Sequence, residues 1–277
     1  MSSKIATMVK APAFAAAFVT LGLTALGLPN SAHASAWPQD QGKGQVIVTG
    51  SYSSGEPFSG SSGYLGDVPK TDKAEVYALI EYGVTPELTA FVIPSFSDVK
   101  VSGGGAPDQY TGAGYTELGG HYTFAKTTSD VFSVQASVRI PGASDGSRLA
   151  QTGQTDTQFD ARVLWGRKFS IGHVPAFFDE QLGVRFRNGG PPDELHDDFT
   201  LGAQLSPKWL LLAQSFNVVS LGSGGSEFPQ TNYHKAALSL VRHIDDHWSL
   251  QVGGMTTIAG HNALKETGAF LAVWRRF

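Results

Sequence analysis

Downstream of residue 44, apolar and polar side chains alternate with a period of two in one segment after another. Along 131–140, Phe132, Val134, Ala136, Val138 and Ile140 take one face, while Ser133, Gln135, Ser137 and Arg139 take the other. Successive side chains of an extended chain point to opposite faces, so this period marks β-strands. The pattern predicts twelve of them, at 45–55, 75–83, 88–96, 109–124, 131–140, 157–168, 177–187, 199–205, 209–221, 233–243, 248–258 and 265–277. The segment 209–221 is apolar on both faces, which leaves its orientation open.

The connections alternate in length. Those at 56–73, 98–108, 141–155, 188–197, 222–231 and 259–263 are rich in Gly, Ser, Asp and Pro, and the run Gly103-Gly104-Gly105 reads as flexible loop. Those at 84–87, 125–130, 170–174, 206–208 and 245–246 are short. Strands of about ten residues cross a bilayer when tilted, and closure into a barrel pairs every backbone group. The expected fold is therefore all-β: a closed, antiparallel, up-and-down transmembrane β-barrel of about twelve strands, with short periplasmic turns and longer external loops. Alternation does not say which face points inward, and a soluble sandwich or lipocalin-like barrel would alternate too. Aromatic placement favours the membrane. Tyr82, Phe124, Trp165, Phe169, Phe177, Trp209, Trp248, Trp274 and Phe277 lie near the short turns or the chain end, where a membrane-interface girdle would gather them.

The stretch 265–277 reads K-E-T-G-A-F-L-A-V-W-R-R-F, with Ala269, Leu271 and Val273 on one side and an aromatic end. It resembles the closing strand of bacterial outer-membrane barrels, except that Arg275 stands where that signal usually has a hydrophobic residue. The resemblance implies two partners: the outer-membrane lipid bilayer, and the barrel assembly machinery that reads the terminal Phe. The phrase E-Y-G-V-T-P-E-L-T at 81–89 is similar to the strand-turn-strand phrase of the putative transport barrels grouped under the MetA pathway of phenol degradation. That resemblance implies passive passage of hydrophobic aromatic compounds.

The N-terminus has the layout of a secretory signal peptide. Lys4 and Lys10 precede a mostly apolar run over 11–28, followed by Pro29 and the small-residue pattern Ala32-His33-Ala34. Residues 1–34 are expected to be cleaved after Ala34, leaving 35–277 as one outer-membrane domain. Loss of the two leader lysines takes the formal charge from −4 to about −6, which gives no polybasic case for nucleic acid. The chain has no Cys, so disulfides, thiol catalysis and thiolate metal sites are excluded. Beyond the leader no apolar run approaches the length of a spanning helix.

If apolar faces meet lipid, the polar faces line a lumen. Tyr115, Glu117 and His121 share one strand, Arg139 the next, Asp160 and Arg162 the next, and Arg185 with Arg187 the one after. These groups form either an ion-pair network that braces a narrow barrel or a locally cationic path for anionic solutes. His247 and Ser249 share a strand face, the arrangement in which a base could activate a hydroxyl, as in outer-membrane phospholipases. The residues that follow, Leu250-Gln251, differ from that family's Asn-Gly, and His247 reads better as a polar turn residue. His196 beside Asp193, Glu194, Asp197 and Asp198 offers oxygen ligands to a divalent cation, although a carboxylate-rich loop is ordinarily just solvated. No nucleotide or zinc signature occurs, and no metal site or cofactor is expected. The function expected is passive transport of small solutes, aromatic and hydrophobic or anionic. A surface adhesin or exopolysaccharide-associated barrel is the alternative, and a lipid hydrolase is more remote.

Overall fold

A computed structural model describes residues 36–62, 70–102 and 107–277. The leader at 1–34 and the run Gly103-Gly104-Gly105 lie outside the described residues. The strands are β1 (Gly44–Pro57), β2 (Lys70–Gly83), β3 (Leu88–Ile93), β4 (Ser95–Ser102), β5 (Asp108–Ala113), β6 (Thr116–Lys126), β7 (Asp130–Ile140), β8 (Gln158–Ile171), β9 (Val174–Arg187), β10 (Glu194–Ser206), β11 (Trp209–Ser220), β12 (Asn232–His243), β13 (Trp248–His261) and β14 (Leu264–Arg276). Pro94, which has no N–H for the ladder, divides β3 from β4, although both pair with β2. Gly114 and Tyr115 divide β5 from β6 in the same way. Each pair of short segments forms one wall strand, so the barrel has 12 strands.

Every neighbouring pair is antiparallel, and β1 pairs with both β2 and β14, which closes the sheet. At the seam Gly44 and Phe277 exchange backbone hydrogen bonds of 2.9 and 3.0 Å. Both chain ends of the barrel therefore sit at the short-turn end. Several strands run further than alternation alone predicts. Lys100 pairs with Gln109 inside the expected glycine-rich loop, and β13 and β14 are joined by Asn262 and Ala263 alone. Asn262 takes φ 48°, a left-handed conformation that Asn tolerates, and its side chain bonds Ser62 and Gln230. The last outer connection is thus a tight turn rather than a long loop.

Burial decides which face points inward. On β7 and β8, Val134 and Val163 are 44 and 55 % exposed, whereas Ser133, Gln135 and Asp160 are buried. A soluble barrel would invert this, since its apolar face would turn inward. The outward apolar face is the one a bilayer covers. A polar row interrupts it on β10–β12, where Asn217 donates to the Asp197 carbonyl and bonds His234.

The aromatic side chains near the short turns divide between the outer face and the interior of the barrel. Tyr82, Phe124, Trp248 and Phe277 are exposed, and Phe132 stacks on Trp165 at 6.1 Å, which meets Phe178 edge-on at 4.6 Å. The Trp209 and Trp248 rings are covered by the guanidinium groups of Arg242 and Arg275. That contact accounts for Arg275 at a customarily apolar position, because a cation over an indole face is attracted to it. Trp274 and Phe177 depart from the expectation. Both are buried inside the barrel, in a cluster with Ile47, Leu79, Phe91 and Leu164. Trp274 donates its indole N–H to Gln251 Oε1 at 3.1 Å. Leu210 and Leu212 join the same cluster, and that is why 209–221 is apolar on both faces: one belongs to the apolar outer face of the barrel and the other to this inner floor.

Candidate functional site

Strand register assembles the lumen charges. Asp160 on β8 lies opposite Arg185 on β9, and Arg185 lies opposite Glu194 on β10. Asp160 accepts Arg162 Nε on one oxygen and Arg185 Nε on the other, both at 2.7 Å. Arg162 reaches Asp198 at 2.6 Å, and Arg187 reaches Glu194 at 2.6 Å. The arm of Arg162 crosses the space over Gly183, where an added Cβ would come within 2.4 Å of its Cγ. On the adjoining wall Arg139 stacks over the Tyr115 ring at 4.4 Å, donates to Gln158 Oε1 at 2.7 Å and lies 3.4 Å from Glu117. The structure thus brings Glu117, Arg139, Asp160, Arg162, Arg185 and Arg187 together with Glu194 and Asp198, a belt in which four arginines face four carboxylates. His121 stands apart from it, buried below the belt, with neither ring nitrogen hydrogen-bonded among the described residues.

Among the described residues the lumen holds a polar cavity and an apolar one. The polar one, about 380 Å³, is lined by Tyr115, Glu117, Arg139, Arg185, Arg187 and Glu194 among others. The apolar one, about 220 Å³, is lined by Ile47, Leu79, Phe216, Met255 and Phe270 with a few polar groups. Glu75 and Tyr77 line both, so the cavities adjoin. The outer loop at 141–157 folds over the polar cavity rather than standing free in solvent. Arg187 donates to the Gly153 carbonyl at 2.8 Å, Tyr115 donates to the Asp156 carbonyl at 3.0 Å, and Arg148 pairs with Asp108 at 2.5 Å.

Below the belt the N-terminal segment enters the barrel, which alternation could not reveal because this segment has no period. Gly42 and Gly83 hold it at the rim through a 2.9 Å backbone bond, and an added Cβ on Gly83 would strike the Asp40 carbonyl at 2.2 Å. Further in, Gln39 donates its backbone N–H to Thr89 Oγ1 and its amide to Glu81, while the Ala36 carbonyl accepts from Ser133. The Trp37 ring packs edge-on to Phe177 at 5.8 Å and lies directly over Gly166.

The remaining sequence candidates are placed differently. Ser249 is buried and bonds His243 Nδ1 at 2.9 Å, not His247, which lies exposed in the turn. His243 Nε2 has no hydrogen-bond partner among the described residues, so no third group orients the ring as a general base. In that turn, Asp245 accepts the backbone N–H groups of His247 and Trp248 at 2.8 Å, which hold its carboxyl below the usual carboxylate range. His196 and Glu194 belong to β10 rather than to an exposed loop. Their side chains meet each other at 3.0 Å and face the arginines, and no metal-holding group of three is found among the described residues.

Neither a protein-family model nor a curated protein sequence matches the chain. Solved structures do. The COG4313 outer membrane channel from Pseudomonas putida F1 aligns with a TM-score of 0.68 at 13 % identity, covering 90 % of this chain and 100 % of that one. The fold is that of a bacterial outer-membrane barrel. The transport unit of the autotransporter AIDA-I from Escherichia coli aligns at 0.52 and 10 % identity, covering 86 and 91 % of the two chains. The translocator domain of NalP from Neisseria meningitidis aligns at 0.51 and 12 %, covering 84 and 88 %. At these identities the likeness extends to the fold and no further.

Proposed function

We propose that this barrel is a passive outer-membrane channel for small organic anions with an apolar body, such as aromatic carboxylates. The observation that carries this reading is the shared wall of Glu75 and Tyr77 between the apolar and the arginine-lined cavities. A solute with a ring and one negative charge finds both environments within the same lumen. Its ring is accommodated by Phe216, Met255 and Phe270, and its carboxylate by the Arg139 and Arg185 guanidinium groups. The resemblance of residues 81–89 to MetA-pathway barrels supports an aromatic cargo, and the arginines support an anionic one. Each arginine already has a carboxylate or amide partner, so the belt also braces the wall, and its net field is weak. Weak binding suits conduction, since a solute held tightly would not leave.

Liposome swelling tests this with three probes: benzoate, acetate and benzylammonium. Benzoate should enter fastest and benzylammonium slowest, and Arg139→Ala should narrow the gap between those two. Equal exclusion of all three by the intact barrel would overturn the transport reading.

A further inference from the structure

The connection between β7 and β8, residues 141–157, is itself a folded piece of chain. Gln151 Oε1 accepts the backbone N–H groups of Ser144 and Asp145, both at 3.1 Å, and Thr152 donates its hydroxyl to the Arg148 carbonyl at 2.9 Å. These bonds tie its two limbs together, so it moves as a unit. Its tip is docked on the β4–β5 hairpin. Asp108 Oδ1 accepts Arg148 Nε–H at 3.0 Å, Asp108 Oδ2 accepts the Ala150 backbone N–H at 2.9 Å, and Ala150 packs with Val99 and Val101. The return limb roofs the lumen, where Gly153 and Gln154 line the polar cavity and Arg187 holds the Gly153 carbonyl. Gly153 takes φ 74°, a left-handed backbone that glycine adopts without strain. The Arg148 side chain is 45 % exposed. An ion pair so exposed is weak and is screened by salt, so the docking of the tip is reversible.

We propose that residues 141–157 form a hinged lid over the polar cavity, latched shut by Asp108. The base of the lid is fixed at both ends. An added Cβ on Gly142 would strike the Ala113 carbonyl at 2.1 Å, so the chain leaves β7 pressed against the wall, and the Asp156 carbonyl is held by the Tyr115 hydroxyl at 3.0 Å. Movement is confined to the part between. When Asp108 releases Arg148 and Ala150, the tip leaves the hairpin, Gly153 and Gln154 are withdrawn from the cavity wall, and the cavity opens to the outer side. Access to the cavity defines the lid, whatever solute passes, so this inference does not rest on the transport reading.

The chain has no Cys, so one introduced thiol reports on one place. Ser97 is 5 % exposed and lines the polar cavity. In intact cells carrying Ser97→Cys, a fluorescein maleimide added outside should label the barrel slowly, and combining Arg148→Ala with it should raise the rate about fivefold, the shift that loss of an exposed ion pair sustains. A second variant locks the lid. In Asp108→Cys with Ala150→Cys, oxidation to the disulfide should lower single-channel conductance and a reductant should restore it, and this variant decides the matter if Ser97→Cys does not assemble. Equal labelling of Ser97→Cys with and without Arg148→Ala, or a measurable conductance that is the same with the disulfide closed and open, would overturn the lid. Labelling reads access and not passage, so a barrel that conducts nothing would sink the transport reading and leave the lid to the labelling rates.

Discussion

Arg185 donates its Nε–H to Asp160 Oδ2 at 2.7 Å, across one rung of the β8–β9 ladder, and the Asp160 side chain is wholly enclosed. The same carboxylate holds Arg162 on its other oxygen. One negative charge thus anchors two guanidinium groups of the lumen wall.

Asp160→Asn removes that charge without changing size, and leaves Arg162 and Arg185 facing an amide that can offer a single acceptor oxygen. Breaking a buried ion pair from one side costs about 3 kcal/mol. The urea midpoint of the barrel in lipid vesicles should fall accordingly, and the pore should shift toward anions. An unmoved midpoint would mean that the belt only orders side chains.

The Trp37 ring occupies the space where Gly166 has no side chain, and a Cβ there would lie 2.6 Å from a ring carbon. Gly166→Val should expel the ring at a local cost on the order of 2 kcal/mol for overpacking. Heat-modifiable migration on detergent gels should persist, because the wall ladder is untouched, and single-channel conductance should rise. Wild-type conductance in that variant would show that Trp37 does not restrict the path.

Trp274 and Phe277, three residues apart, should fail in different ways. Trp274 packs in the inner floor and bonds Gln251, so Trp274→Ala should cost about 3 kcal/mol and loosen the floor. Phe277 is half exposed, and its ring lies against Gly44 at the seam. Phe277→Ala should lower the amount of assembled barrel while sparing conductance. Quantifying folded protein in outer membranes beside conductance separates the two, and matching phenotypes would count against the assignment.

Ser249→Ala removes one hydrogen bond to His243 and should lower stability by about 1 kcal/mol. Neither wild type nor variant should release fatty acid from phospholipid. Hydrolysis lost on substitution would revive the lipid-hydrolase reading that the unoriented His243 ring argues against.

The strand period, the strand number and the short turns were legible because alternation is a local property of an extended chain. The position of Trp274 was legible as well: it shares parity with Phe270 and Ala272, not with Leu271 and Val273, and proximity to the chain end is no guide to facing. Phe177, in step with Asp179, carried the same signal. The grouping of Asp160, Arg162, Arg185 and Arg187 could be read from polar faces on neighbouring strands, but their pairing could not. A shift of one residue in register would have turned every one of these charges to the opposite face.

Alternating residue types are enough to specify an even series of strands, each with one apolar and one polar face. What fills the interior depends on contacts that form when the barrel closes. The arginine belt comes from cross-strand rungs joining residues far apart in the chain, and the apolar floor is made by side chains of many strands around a non-periodic N-terminal segment. That segment is held by Glu81, Thr89, Ser133 and Asp179, four residues on four different strands, whose common location exists only after the barrel closes.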